Sequence, residues 1–164
     1  MVDGNQSGEI RAITSDDTAA VMAIATAIDL FEPGEAEAIG GLLEEYFAGT
    51  LGEGHTWIVL ENFGIAGVAY FAPEQFAEGT WNVYFIAVHP DRQREGNGAN
   101  LLTYVEQHLS AQGERLLLVE TSGLPALAAA RAFYRKQGYE EEARIREFYS
   151  AGDDKIIFRK ALVS

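Results

Sequence analysis

One junction constrains this chain more than any other. Residues 80–88, TWNVYFIAV, read as a strand, and HPDRQREGNG follows with one proline and two closely spaced glycines. A helix then runs from about Gly98 to Ala111 with Leu101, Leu102, Val105 and Leu109 on its inner face. ERLLLVET (114–121) returns as a nearly continuous apolar strand, the pattern expected of one buried on both faces. Strand, turn, helix and strand in that order make a right-handed crossover between parallel neighbours. The glycine turn therefore falls at the carboxyl end of a strand and the amino end of a helix, where open α/β sheets bind ligands.

The flanks supply the rest of a sheet. EIRAIT (9–14) reads as a short strand, and SDDTAAVMAIATAIDLF as a helix capped by Ser15, with Val21, Ile24, Ile28 and Phe31 on one face. EPG (32–34) stops it, and a second helix spans Glu35–Phe47 with Ile39, Leu42, Leu43 and Tyr46 inward. HTWIVLE (55–61) and GIAGVAYF (64–71) form a hairpin around Asn62 and Gly64. LPALAAARAFYRKQG (124–138) is a helix with Pro125 near its start and Gly138 just past its end. ARIREFY and KIIFRKAL close the chain as two strands joined by SAGDD. The expected architecture is a single domain over residues 1–164, a mixed, twisted α/β sheet of about seven strands with four helices.

Composition narrows the chemistry. The chain has no cysteine, which excludes disulfides, thiolate metal sites and a cysteine nucleophile. Its histidines, His55, His89 and His108, are too scattered to suggest zinc, so no metal is expected. Twelve basic against 25 acidic residues give a net charge of −13, which disfavours nucleic acid and suits cationic acceptors such as amines. No apolar run approaches a membrane span, and the polar start MVDGNQSGEI lacks the features of a signal peptide, so the cytoplasm is the expected compartment.

The first amides of a helix have no partner within it, and the helix dipole adds positive potential there. Gly96 and Gly98 let an anion approach those amides, and Arg92 and Arg94 would add ionic contact, so the turn suits a phosphate or pyrophosphate. A P-loop would need Gly-Lys-Ser/Thr, which is missing. The dinucleotide fingerprint would need a glycine at 101, which is leucine.

Gln93-Arg94-Glu95-Gly96-Asn97-Gly98 instead resembles the Q/R-x-x-G-x-G/A signature of the GNAT superfamily of N-acetyltransferases. ARAFYRKQGY (130–139) resembles that family's later helix, and the spacing of the two blocks matches. The chain departs from the family pattern at Arg94, usually glycine, at Asn97, usually aliphatic, and at Leu127, often asparagine. The resemblance implies a sheet splayed at its middle. It implies acetyl-CoA as cosubstrate, its pyrophosphate on the backbone of Gln93, Arg94, Glu95, Gly96, Asn97, Gly98 and Ala99. The pantetheine arm would lie along Ile86, Ala87 and Val88.

Acetyl transfer to an amine needs a proton acceptor, because an alkylammonium is almost fully protonated at pH 7. Tyr134 matches the family tyrosine that protonates the leaving thiolate. Glu120, at the end of strand 114–121, is the first candidate for the base, or alternatively an anchor for a basic side chain or a loop amide; Glu74, Tyr84 and His89 are weaker ones. Asp153 and Asp154 suit either a plain turn or a substrate ammonium. The acceptor implied is a small-molecule or peptide amine, and homodimerisation is common among relatives. A domain that senses acyl-CoA without turnover is the alternative.

Overall fold

A computed structural model describes residues 8–28 and 33–162. Phe31, placed above on the first helix, and Glu32 of the EPG stop lie outside the described residues. Seven strands and four α-helices occur among the described residues. The strands are β1 (Glu9–Ala12), β2 (Thr56–Glu61), β3 (Ile65–Pro73), β4 (Thr80–Val88), β5 (Leu116–Ser122), β6 (Glu140–Ser150) and β7 (Asp153–Ala161). The helices are α1 (Thr18–Ala27), α2 (Pro33–Ala48), α3 (Asn97–Ala111) and α4 (Ala128–Lys136). The strands form one sheet in the order β1-β2-β3-β4-β5-β7-β6. A parallel ladder sets Thr80–Val83 of β4 against Leu116–Val119 of β5, as the crossover requires, and β7 returns antiparallel to β5. This is the mixed α/β architecture expected from the sequence.

The chain divides into two compact units, one of residues up to Tyr70 with Phe85–Tyr104, the other of Phe71–Tyr84 with Val105 onward. In the first, the inner faces of α1 and α2 meet the sheet through Val21, Ile24, Leu43, Trp57, Val59 and Val68, all buried. Trp57 stacks on Tyr70 with ring centroids 4.6 Å apart, so these aromatics are core. Gly67 is a packing requirement here. A Cβ there would stand 2.8 Å from Leu101 Cδ1 and 3.2 Å from the Ala87 carbonyl, so glycine allows α3 to lie close on the strands. The start of α1 differs from the expected Ser15 cap. Ser15–Asp17 is a 3-10 turn capped by Thr14, whose N–H donates to Asp17 Oδ2 at 2.8 Å. Arg11 also holds that carboxylate at 2.8 Å and keeps Asp17 down at about 2, well under the usual carboxylate range. Asp17 reaches back to Thr14, so the turn begins one residue earlier.

The second unit is built on Val105, Leu109, Leu117, Val119, Ile156 and Phe158, with Phe71 and Trp81 packed at a centroid distance of 5.9 Å. Gly138 ends α4 at φ +90, where the Tyr139 N–H returns to the Tyr134 carbonyl at 3.0 Å. β5 corrects one expectation. Leu117, Val119 and Thr121 are buried, whereas Leu116, Leu118, Glu120 and Ser122 are only partly covered. The apolar run thus serves one buried face and one half-open face, and the half-open face carries Glu120.

Candidate functional site

Two residue groups carry the expected chemistry, and the chain builds them by different means. The first is the turn between β4 and α3. The β4–β5 register runs from Thr80 to Val83, and beyond it Ile86, Ala87 and Val88 have no β5 partner among the described residues. Pro90–Arg92 form a short 3-10 turn. Arg94 then takes φ +66 and Gly96 φ +81, and α3 starts at Asn97. The first helical bond runs from the Asn100 N–H to the Gly96 carbonyl, leaving the amides of Asn97, Gly98 and Ala99 without a partner inside the helix. A Cβ on Gly96 would meet nothing within 4 Å, so the space over the turn is open to a ligand. The turn thus offers an anion a run of backbone donors at a helix amino end, which fits the pyrophosphate of acetyl-CoA.

Several side chains of this turn bond to the turn and its neighbours. Arg92 was expected to contact phosphate. Instead it donates to the Asn62 carbonyl at 2.7 Å and to Glu95 Oε2 at 3.2 Å. Asn97 is buried and donates to the Arg92 carbonyl at 2.9 Å and to Glu95 Oε2 at 3.3 Å. Gln93 bonds the Val88 carbonyl at 3.2 Å. Arg92, Glu95 and Asn97 therefore brace the turn, while the exposed Arg94 projects its charge from a left-handed residue. That conformation costs a side-chain-bearing residue about 1–2 kcal/mol, and the brace holds it in place.

The second group lies on β4, β5 and β7 and consists of side chains. Asn82, fully buried, donates from Nδ2 to Glu120 Oε1 at 2.8 Å and to Glu74 Oε1 at 2.9 Å. Lys155 Nζ sits 2.7 Å from Glu120 Oε2 and 3.9 Å from the centre of the Phe148 ring. The Tyr84 hydroxyl donates to Glu74 Oε1 at 3.2 Å. Glu120 therefore anchors a basic side chain and shares an amide with Glu74. Neither Asn82 nor Lys155 is singled out by motif reading. The available signal is a lone amide between Trp81 and Val83 in an otherwise apolar strand.

Tyr134 is buried on α4 among Phe133, Tyr139 and Phe158, at centroid distances of 5.5, 6.3 and 5.6 Å. Burial pushes its phenol up to about 12, so it is a proton donor throughout the neutral range. The structure brings Glu74 and Glu120 together through Asn82; Tyr134 has a separate, aromatic environment.

The remaining candidates have local roles. His89 Nδ1 accepts from the Asp91 N–H at 3.1 Å. Asp154 accepts from Arg144 at 2.5 Å and from the Glu147 N–H at 2.9 Å, and these bonds hold its carboxyl below the ordinary value. Asp153 bonds the Ser122 hydroxyl. Arg131 clamps the Ser122 and Leu124 carbonyls, each at 2.8 Å. No group of three or more His, Asp or Glu able to hold a metal occurs among the described residues.

A mixed seven-stranded sheet with an open glycine turn at the head of α3 fits an acyl-CoA-dependent transferase. The sequence matches the Acetyltransferase (GNAT) domain family over residues 52–141, a span containing the turn, Glu120 and Tyr134. It is 32% identical over 112 residues, covering 68% of this chain and 73% of the relative, to the [ribosomal protein bS18]-alanine N-acetyltransferase of Escherichia coli K12. A GNAT-family crystal structure from Desulfovibrio desulfuricans is 35% identical with a TM-score of 0.88, covering 94% of this chain and 99% of that one. The structure of the S18-alanine N-acetyltransferase of Escherichia coli is 25% identical with a TM-score of 0.75, over 96% of this chain and 95% of that one. This chain belongs to the GNAT superfamily of acetyl-CoA-dependent acetyltransferases. It transfers an acetyl group from acetyl-CoA to an amine acceptor. No described helix is long and apolar enough to cross a membrane.

Proposed function

We propose that the whole chain works as one catalytic domain in the cytoplasm and acetylates the N-terminal amine of a peptide or protein, alanine first, by direct transfer. The geometry supplies the carrying observation for the transferase site: the open, glycine-bearing turn with free amides at the head of α3. The 32% identity to an alanine N-acetyltransferase supports a peptide amine over a small molecule, and the net charge of −13 favours a cationic acceptor. The same charge argues against nucleic acid as a partner. A homodimer is part of this reading, carried only by the family resemblance.

Acetyl-CoA, when bound, supplies the thioester carbonyl that the amine attacks. The amides of Gln93, Arg94, Glu95, Gly96, Asn97, Gly98 and Ala99 hold the pyrophosphate, with the Arg94 side chain adding charge. The backbone of Ile86, Ala87 and Val88 lines the pantetheine arm and offers N–H donors to the carbonyl oxygen as it gains charge. Glu120 takes the proton that the acceptor nitrogen loses as its bond to the acetyl carbon forms. Tyr134 gives its phenolic proton to the sulfur as the carbon–sulfur bond breaks.

The test is mass spectrometry of peptides differing in their first residue after incubation with protein and acetyl-CoA. The expected product is acetylated on the α-amine, fastest with alanine. Acetylation of a small amine with no peptide modified would overturn the peptide assignment.

A further inference from the structure

We propose that Tyr139 is a positioning residue for Tyr134: its hydroxyl, anchored on Glu106 and Lys160, fixes the ring against which the Tyr134 ring rests. The inference rests on the acetyl-transfer reading above, with Tyr134 as the acid, and names what aims that acid's proton.

α4 ends at Gly138, whose φ of +90 turns the chain back so that the Tyr139 N–H reaches the Tyr134 carbonyl at 3.0 Å. The two buried rings then meet edge to face, with centroids 6.3 Å apart and planes at 69°. Tyr139 is held from its far end. Its hydroxyl donates to Glu106 Oε2 on α3 at 2.8 Å, and Lys160 Nζ on β7 donates to Glu106 Oε1 at 2.9 Å. The same ammonium donates to the Gln137 carbonyl at the end of α4 at 2.9 Å and lies 5.3 Å from the centre of the Tyr139 ring. Each Glu106 oxygen thus has a donor, and its charge is matched. Burial and the Glu106 carboxylate hold the Tyr139 phenol well above its ordinary value, so it stays a donor.

Packing alone does not call for this arrangement. A partly buried ion pair pays for desolvation, and apolar residues of the same shape are often as good for stability. What the network supplies is a fixed orientation. Phe133 and Phe158 also touch Tyr134, at centroid distances of 5.5 and 5.6 Å, but they carry no polar atom that could tie them down. Of these three rings, Tyr139 is the tethered one. Proton delivery is sensitive to position, since a displacement of about 1 Å costs about a hundredfold in rate. The step itself is unaltered: the carbon–sulfur electron pair leaves on sulfur, which takes the Tyr134 proton, and Tyr134 is left as a phenolate.

The experiment uses the full chain, acetyl-CoA and a peptide beginning with alanine, and reads the single-turnover rate of acetyl transfer. Steady-state KM values and the acetyl-CoA melting shift are measured alongside. Tyr139→Phe keeps the ring and removes the tether. It should lower the rate about fivefold, the size expected of a displacement well under about 1 Å, with both KM values and the melting shift near wild type. In a Tyr134→Phe background the same change should cost less than about 1.5-fold, because no proton is left to aim. A merely structural tyrosine would slow both backgrounds by the same factor. That equal fall, or an unchanged rate in the Tyr139→Phe single variant, would overturn the proposal. Should Tyr139→Phe fail to fold, Glu106→Gln, which keeps the shape of the anchor and removes its charge, takes its place in the same comparison with the same outcomes. A Tyr134→Phe variant as fast as wild type would refute the acid assignment, and this proposal with it. A wild-type protein that binds acetyl-CoA yet acetylates no amine would instead refute the acetyl-transfer reading on which both stand.

Discussion

The turn at 93–99 and the carboxylate group around Asn82 solve different problems with different parts of the chain. In the proposed reading the turn would recognise an anion with backbone amides, while its side chains Arg92, Glu95 and Asn97 hold the loop's shape. The carboxylate group, proposed to take the acceptor's proton, is built from side chains as far apart in sequence as Glu74 and Lys155. Backbone recognition tolerates side-chain change but not a change in backbone conformation. Side-chain recognition has the opposite sensitivity.

That contrast orders the expected effects. Glu120→Gln should lower kcat/KM about 10³-fold, within the range for general acid–base catalysis, while leaving the acetyl-CoA melting shift intact. If binding and turnover fell together, the separation of the two regions would be broken. Tyr134→Phe should lower kcat about a hundredfold with little change in either KM. Because burial holds the Tyr134 phenol up at about 12, its proton is present below that value and lost above it. The wild-type rate should therefore show no alkaline fall from this residue before about pH 11; a fall near pH 9 would assign the acid elsewhere.

Gly96→Val should weaken acetyl-CoA about thirtyfold, since a residue with a Cβ pays about 2 kcal/mol at the φ of +81 found there. Asn97→Ala should weaken acetyl-CoA about fivefold, the equivalent of one buried hydrogen bond of about 1 kcal/mol, and lower Tm with it. Gln93→Ala should fall within about twofold of wild type, because a side-chain bond to a partly exposed carbonyl contributes little to ligand affinity. A loss for Gln93→Ala as large as that for Gly96→Val, read by titration calorimetry, would mean that side chains recognise the coenzyme after all.

The same contrast explains what could be read in the sequence. The turn is local: proline, two glycines and the start of a helical stripe lie within ten residues, and backbone geometry follows from residue type over that distance. The succession of strands and helices along the chain was legible for the same reason, because each element carries its own period. What the turn's side chains do was not legible. Arg92 looks like a phosphate ligand until the Asn62 carbonyl, 30 residues earlier, is placed beside it. The carboxylate group shows this most strongly. Glu120 could be picked from its position at a strand end, but its ion pair depends on β7 lying next to β5, which sets Lys155 opposite Ser122. Nothing local to residue 155 encodes that register. Likewise β5 looks buried on both faces because Leu116, Leu117, Leu118 and Val119 are equally apolar, and only tertiary packing leaves one face half open.

The most direct test of the account is the release of free coenzyme A from acetyl-CoA by the purified wild-type protein, titrated with an alanine-terminated peptide. The chain has no cysteine, so it adds no thiol of its own to the signal. The account predicts release that is negligible without peptide, rises saturably with it, and matches the α-amine acetylation seen by mass spectrometry. Acetyl-CoA that raises the melting temperature but is never consumed, whatever amine is supplied, would contradict it.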